Sequence, residues 1–279
     1  MNSDTQRAHA RAFRAMHDRS RLLILPNAWD AMSARVIETA GARAIATSSA
    51  GLAYSLGYAD GEYAPREEVI QAIGRIARVV HVPLSTDIES GFGADERELA
   101  DMVAAVIDAG AVGINLEDST GDPAHPLYEL ETAVARVRAA RTAAEKSGIP
   151  LVINARTDVL ITLKGDRAGL LEESFRRANA FRAAGADSLF PLGLGDAEEI
   201  SRAARAIDGP INVIFRPGIP PAAELARLGV ARLSMGSAVA LAAATLTRRI
   251  AQELLSEGTY SMLGTGFTHV EFNALMSEA

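Results

Sequence analysis

Short apolar runs alternate along this chain with longer stretches in which apolar residues return every three or four positions. Eight of the short runs read as β-strands, at 22–25, 44–47, 82–87, 112–117, 151–155, 188–191, 211–215 and 231–235. Each leads into a helical pattern; after Glu96, for example, Leu99, Met102, Val103, Val106 and Ile107 fall on one face. Strand followed by helix, eight times over, predicts an α/β protein built as a parallel (β/α)8 TIM barrel. It reads as a single domain over 1–279 with an extra C-terminal helical segment.

The punctuation supports the count. Strands two, four, six and eight are entered through Ala40-Gly41-Ala42, Ala109-Gly110-Ala111, Ala184-Gly185-Ala186 and Leu228-Gly229-Val230. Glycine there suits the left-handed residue that ends a helix. Strands three, five and seven begin beside Pro83, Pro150 and Pro210, and a proline at the first strand position gives up no ladder bond. A two-strand unit used four times closes into a barrel of eight. An open doubly wound sheet has no reason to alternate in this way.

Composition narrows the function. The 279 residues are 48% hydrophobic and 23% charged, the balance of a globular chain with a large core. With 35 acidic residues against 28 basic the net charge is −7, so no phosphate-neutralising surface is on offer and nucleic acid is not an expected partner. The absence of cysteine removes disulfides, thiolate metal sites and thiol nucleophiles together. The polar N-terminal stretch carries Arg7, Arg11, Arg14 and Arg19 but no apolar signal core, and no run of about 18 apolar residues occurs. A cytoplasmic protein without membrane contact is expected. The segment 258–279 bears Tyr260, Met262, Leu263, Phe267, Val270, Phe272, Leu275 and Met276, more apolar surface than a monomer usually exposes. A homo-oligomer, a tetramer, with this segment against a neighbouring subunit is expected.

In a parallel barrel the chemistry sits at the C-terminal strand ends. Strand three ends in Ser85-Thr86-Asp87-Ile88-Glu89-Ser90-Gly91-Phe92-Gly93, which the period of two reads as placing Asp87 and Glu89 on one face. Strand four ends in Ile114-Asn115-Leu116-Glu117-Asp118. Carboxylates on neighbouring strand ends repel one another, and an oxygen-binding dication such as Mg²⁺, or Mn²⁺, holds such a set together. Strand five ends in Asn154-Ala155-Arg156-Thr157-Asp158, where the arginine is either an ion pair or a fork for a substrate carboxylate. Strand two ends in Thr47-Ser48-Ser49-Ala50-Gly51, small residues that let N–H groups and a hydroxyl reach an anion. Strand seven buries an amide, Asn212, that needs partners.

Together these residues resemble the isocitrate lyase and phosphoenolpyruvate mutase superfamily. The likeness runs from Leu25-Pro26-Asn27-Ala28-Trp29-Asp30 through the Ser48-Ser49 turn, the Asp87–Gly93 run, Leu116-Glu117-Asp118 and Ala155-Arg156-Thr157-Asp158 to Asn212. It implies a barrel enzyme with Mg²⁺ held largely through water, acting on a small 2-oxo or 2-hydroxy acid by breaking the bond to C3. Carbon–carbon lysis and oxaloacetate-type decarboxylation both fit, with phosphorus–carbon chemistry or simple oxo-acid binding as alternatives. By this likeness Asp87 is the direct metal ligand, Glu89 and Glu117 hold metal-bound water, and Asp60 lies near the metal. Ser48 with the N–H groups of Ser49 and Ala50 binds the carboxylate or oxo group, Arg156 faces its anionic end, and Asn212 joins the substrate site. Members also exchange terminal helices between subunits.

Departures from the family bear on the reaction. The loop after strand four reads Ser119-Thr120-Gly121-Asp122-Pro123-Ala124-His125-Pro126, without the cysteine that serves the lyases as acid or base and without the lysine and asparagine of the phosphonomutases. His125 on that loop is the candidate replacement. A glutamate usual in the lyases stands here as Leu192, which argues against tricarboxylate substrates, and Glu89 replaces a more usual aspartate.

Overall fold

A computed structural model describes residues 3–264 and 266–277. The ends of the expected domain, and Thr265, Glu278 and Ala279 of the expected C-terminal segment, lie outside the described residues. The strands are β1 (Leu23–Leu25), β2 (Asn27–Ala28), β3 (Ile45–Thr47), β4 (Leu84–Asp87), β5 (Gly113–Glu117), β6 (Val152–Thr157), β7 (Ser188–Pro191), β8 (Asn212–Ile214) and β9 (Arg232–Ser234). The helices are α1 (Ser3–Ala15), α2 (Ala31–Thr39), α3 (Ser49–Leu56), α4 (Arg66–Val79), α5 (Glu96–Asp108), α6 (Leu130–Ser147), α7 (Val159–Thr162), α8 (Arg167–Ala183), α9 (Ala197–Ala206), α10 (Ala222–Arg227), α11 (Ala238–Glu257) and α12 (His269–Ser277).

All strand pairs are parallel, in the orders β1-β9-β8 and β2-β3-β4-β5-β6-β7. A bridge between Leu189 and Ile211 joins β7 to β8. The first predicted strand, 22–25, is followed beyond Pro26, which cannot donate to the ladder, by a further short strand, so β1 pairs one way and β2 the other and the ring closes. The molecule is a (β/α)8 barrel. Gly41, Gly110, Gly185 and Gly229 all carry positive φ (96°, 109°, 109° and 85°), as the helix-ending role requires.

Helix α1 seals the N-terminal end of the barrel. Gln6 donates to Ile107 O and Ala111 O at 2.6 and 3.1 Å, and Phe13 is completely buried. A Cβ on Gly113 would lie 2.6 Å from the Phe13 ring, so only glycine lets that ring enter. The five apolar residues expected on α5 are all buried, behind an Asp95 cap that accepts from Arg97 N and Glu98 N. Helix α11 departs from this plan, because none of its twenty residues is buried. The outer face of the barrel beside β1 is correspondingly open, with Ile24 half exposed. The exposed apolar surface therefore begins on α11, ahead of the segment expected from the sequence. Helix α12 lies back on its own chain, where Arg35 Nε donates to Leu275 O at 2.9 Å and Met276 packs on the core.

Candidate active site

Asp87, at the end of β4, is held from three sides. Its N–H donates to Thr47 Oγ1 at 2.9 Å, its Oδ1 accepts from Glu89 N at 3.1 Å, and its Oδ2 faces Asn115 Nδ2 at 3.5 Å. Asn115 presents its NH₂ because its oxygen is taken by Asn154 Nδ2 at 2.8 Å and by Arg232 Nη2 at 3.1 Å. Glu117 ends β5, and its Oε2 lies 2.6 Å from Arg156 Nη1. Arg156 also forks onto Asp158, with both bonds at 2.6 Å. It is thus ion pair first, with three of its five N–H groups used.

The other strand-end carboxylate, Asp118, has a structural job. It accepts from Thr157 Oγ1 (2.8 Å), Asp158 N (2.9 Å) and Arg177 Nη1 (3.1 Å), tying β5 to β6 and α8. Glu89 does not continue the β4 pleat. The strand stops at Asp87, Glu89 has φ 50°, and its carboxylate reaches the site from a turn, which corrects the expectation of a shared strand face.

The electrostatics show a surplus of negative charge. Burial raises the pKa of Asp87 above the usual range, although Arg156 opposes it. Burial, then the charges of Asp87, Asp60 and Glu62, push Glu89 up to about 8. Glu117 is also raised by burial, against the pull of Arg156 and with the repulsion of Asp158, Asp87 and Glu89. Such a set suits a dication, whose charge would relieve that repulsion. Among the described residues no three acidic or imidazole side chains are placed to ligate one ion directly. That geometry fits one protein ligand with water completing the shell, the habit of Mg²⁺.

Ser48 caps α3, its Oγ accepting from Gly51 N at 3.2 Å and its hydroxyl proton free to donate. Ser49 and Ala50 form the first turn of α3, where backbone N–H groups lack helical partners and attract anions. Beside Glu89 and Glu117 lies a cavity of about 80 Å³, closed by Gly61, Glu62, Ser90 and 119–121.

Two expected residues are not brought in. The His125 side chain is 84% exposed and pairs with Asp122 at 3.3 Å, its loop carrying it into solvent. Asn212 is completely buried on β8, donating to Ser234 Oγ at 3.0 Å, and presents no surface to a ligand. Asp60 is exposed on the α3–α4 loop, near enough for its charge to act on Asp87 and Glu89.

A family model described as phosphoenolpyruvate phosphomutase matches residues 13–255. The chain belongs to that family. Escherichia coli 2-methylisocitrate lyase is 34% identical over 208 residues, 72% of this chain and 68% of the relative. A crystal structure from Burkholderia cenocepacia superposes with TM-score 0.90 at 37% identity, covering 98% of this chain and 96% of the other. Phosphonopyruvate hydrolase complexed with oxalate and Mg²⁺ gives TM-score 0.83 at 25% identity, over 97% and 95%. This phosphomutase-family chain is accordingly an enzyme, a member of the superfamily that includes such lyases.

Sequence reasoning missed four positions that shape this family member's site. Asn27 donates to Thr47 O at 2.8 Å and accepts from Met235 N and Gly236 N at 2.8 and 3.0 Å, stapling the seam of the barrel beside Ser48. Asn115 aims at Asp87. Arg232, at the foot of β9, is completely buried, and its pKa is lowered to about 9 by burial against the attraction of Asp87. Glu62 bridges two loops. Asn115 and Arg232 each left a sequence signal, as a polar or charged residue inside a predicted apolar strand, and Asn27 lay within the run that carries the resemblance.

Proposed function

We propose that this protein is a Mg²⁺-dependent lyase that breaks the bond to C3 of a small 2-oxo acid through the enolate, Mn²⁺ serving as well. The observation that carries this reading is the buried surplus of carboxylate at Asp87, Glu89 and Glu117, with Arg156 paired to Glu117. Asp87 would be the direct ligand, with Glu89, Glu117 and Asp60 acting through water. A divalent cation there supplies a Lewis acid for the 2-oxo oxygen. The Ser48 hydroxyl and the N–H groups of Ser49 and Ala50 receive the substrate carboxylate, while Arg156, fixed by Glu117 and Asp158, turns its remaining N–H groups to the anionic end.

The outward position of His125 favours decarboxylation of an oxaloacetate-type acid over lysis of a 2-hydroxy acid. Loss of CO₂ from the C3 carboxylate leaves its electron pair in the enolate and asks for no base, whereas lysis needs one to remove the hydroxyl proton. The test is CO₂ release from 2-oxo diacids with Mg²⁺, against lysis of 2-hydroxy diacids. Metal-dependent decarboxylation that His125→Ala leaves within about twofold is expected. Inertness toward every acid offered would overturn the reading.

The raised carboxylates give a pH dependence. Glu89, at about 8 against an ordinary 4.5, keeps a proton that the unfolded chain releases. Between those values the metal-free protein loses stability as pH rises. Mg²⁺ must displace that proton, so its stabilisation of the fold is expected to be larger near pH 8.5 than near pH 6, read as the Tm gain at fixed Mg²⁺.

We also infer a homo-oligomer, a tetramer, built on α11, none of whose residues is buried, and on the residues after it. Leu241, Leu246, Leu254 and Leu255 are 50%, 50%, 51% and 87% exposed, beside the uncovered Ile24. Leu254→Asp with Leu255→Asp is expected to release monomers in light scattering. A wild-type monomer would contradict this.

A further inference from the structure

We propose that Glu62 is a positioning residue whose carboxylate sets the turn carrying Glu89, and with it the metal-facing geometry of the site. This rests on the metal reading above. Among the described residues, those other than glycine with positive φ are Glu62 (61°), Glu89 (50°) and Phe92 (51°), all on two loops that meet beside the cavity. Left-handed backbone at such residues is strained, and it persists only where the surroundings enforce it.

The enforcing contact is Glu62. Its Oε1 accepts from Ser90 N (3.0 Å), Ser90 Oγ (2.7 Å) and Phe92 N (3.0 Å), so one carboxylate oxygen fills a three-donor pocket in the β4–α5 turn. The connection is reciprocal, because Glu62 N donates to Glu89 Oε2 at 2.9 Å. Glu62 therefore fixes the backbone on which Glu89 sits, and its own amide orients the Glu89 carboxylate. From the far side, Arg136 Nη2 donates to Ser90 O at 2.6 Å and to Gly93 O at 3.1 Å, so the turn is clamped on both faces. None of these bonds needs the negative charge of Glu62 near the metal. They need an acceptor oxygen at one point in space.

That distinction sets the experiment: Mn²⁺ affinity by electron paramagnetic resonance, with KM and kcat, for wild type, Glu62→Ala, Glu62→Gln and Ser90→Ala. Groups that orient a metal's surroundings typically carry 10- to 100-fold in affinity, so Glu62→Ala is expected to weaken Mn²⁺ by about tenfold or more. Glu62→Gln keeps the acceptor oxygen and is expected to restore binding to within about threefold of wild type. Ser90→Ala removes one donor of three and should fall between, with the fold of each variant checked by its melting curve. Unchanged Mn²⁺ affinity in Glu62→Ala, or a glutamine variant as weak as the alanine one, would overturn the proposal while leaving the metal reading intact. A wild-type protein that binds no Mn²⁺ would sink both.

Discussion

Asp87→Ala is expected to lower kcat/KM by about a thousandfold or more, corresponding to about 4 kcal/mol of transition-state stabilisation, and to abolish metal binding. The fold should survive. The Asp87 carboxylate accepts from Glu89 N at 3.1 Å and, at a long 3.5 Å, from Asn115 Nδ2, and it is an uncomfortable buried charge whose pKa burial drives upward. Removing it relieves repulsion on Glu89 and Glu117. The variant is therefore expected to melt no lower than the wild-type protein without metal, a result that separates loss of a ligand from loss of structure. A variant that retains metal-dependent turnover would remove Asp87 from the centre of the site.

Arg156→Met should damage both stability and activity. The guanidinium sits between Glu117 and Asp158, with side-chain exposures of 17%, 12% and 4%, so its loss strands two buried carboxylates. Breaking a buried pair from one side costs about 3–5 kcal/mol. The cost should be greater at high pH and should shrink as pH falls, because burial already pushes the Glu117 carboxyl up and, without Arg156 to oppose that, it takes up a proton more readily. Urea unfolding near pH 8 and near pH 5 measures the difference. Equal destabilisation at both pH values would point to lost packing instead. At the higher pH we expect at least a hundredfold loss of kcat/KM as well, because Glu117 loses the partner that holds it.

The barrel was legible because its signals are local and repeated. Apolar period, helix-ending glycines and strand-opening prolines each depend on a few neighbouring residues. Asp87, Glu117 and Arg156 were found by the same logic, since a polar residue ending an apolar strand stands out. The misses have a different physics. Glu62 acts on donors 28 and 30 residues away, and no pattern within one segment announces that meeting. Glu89 was misplaced because a strand period was carried two residues past the point where the backbone turns left-handed. His125 was chosen for its residue type and loop, but flanking prolines and Asp122 hold it in solvent. Asn212 and Arg232 share the register row that closes the barrel, and depth inside a closed ring is not written in any one strand.

The most direct test of the account is calorimetric titration with oxalate, a planar dianion with the shape of a 2-oxo acid enolate, using Mg²⁺-loaded protein, EDTA-treated protein and Asp87→Ala. Binding is expected to the Mg²⁺-loaded wild type alone, with heat lost in both other samples. Oxalate bound equally well after EDTA and by Asp87→Ala would contradict the metal-centred site.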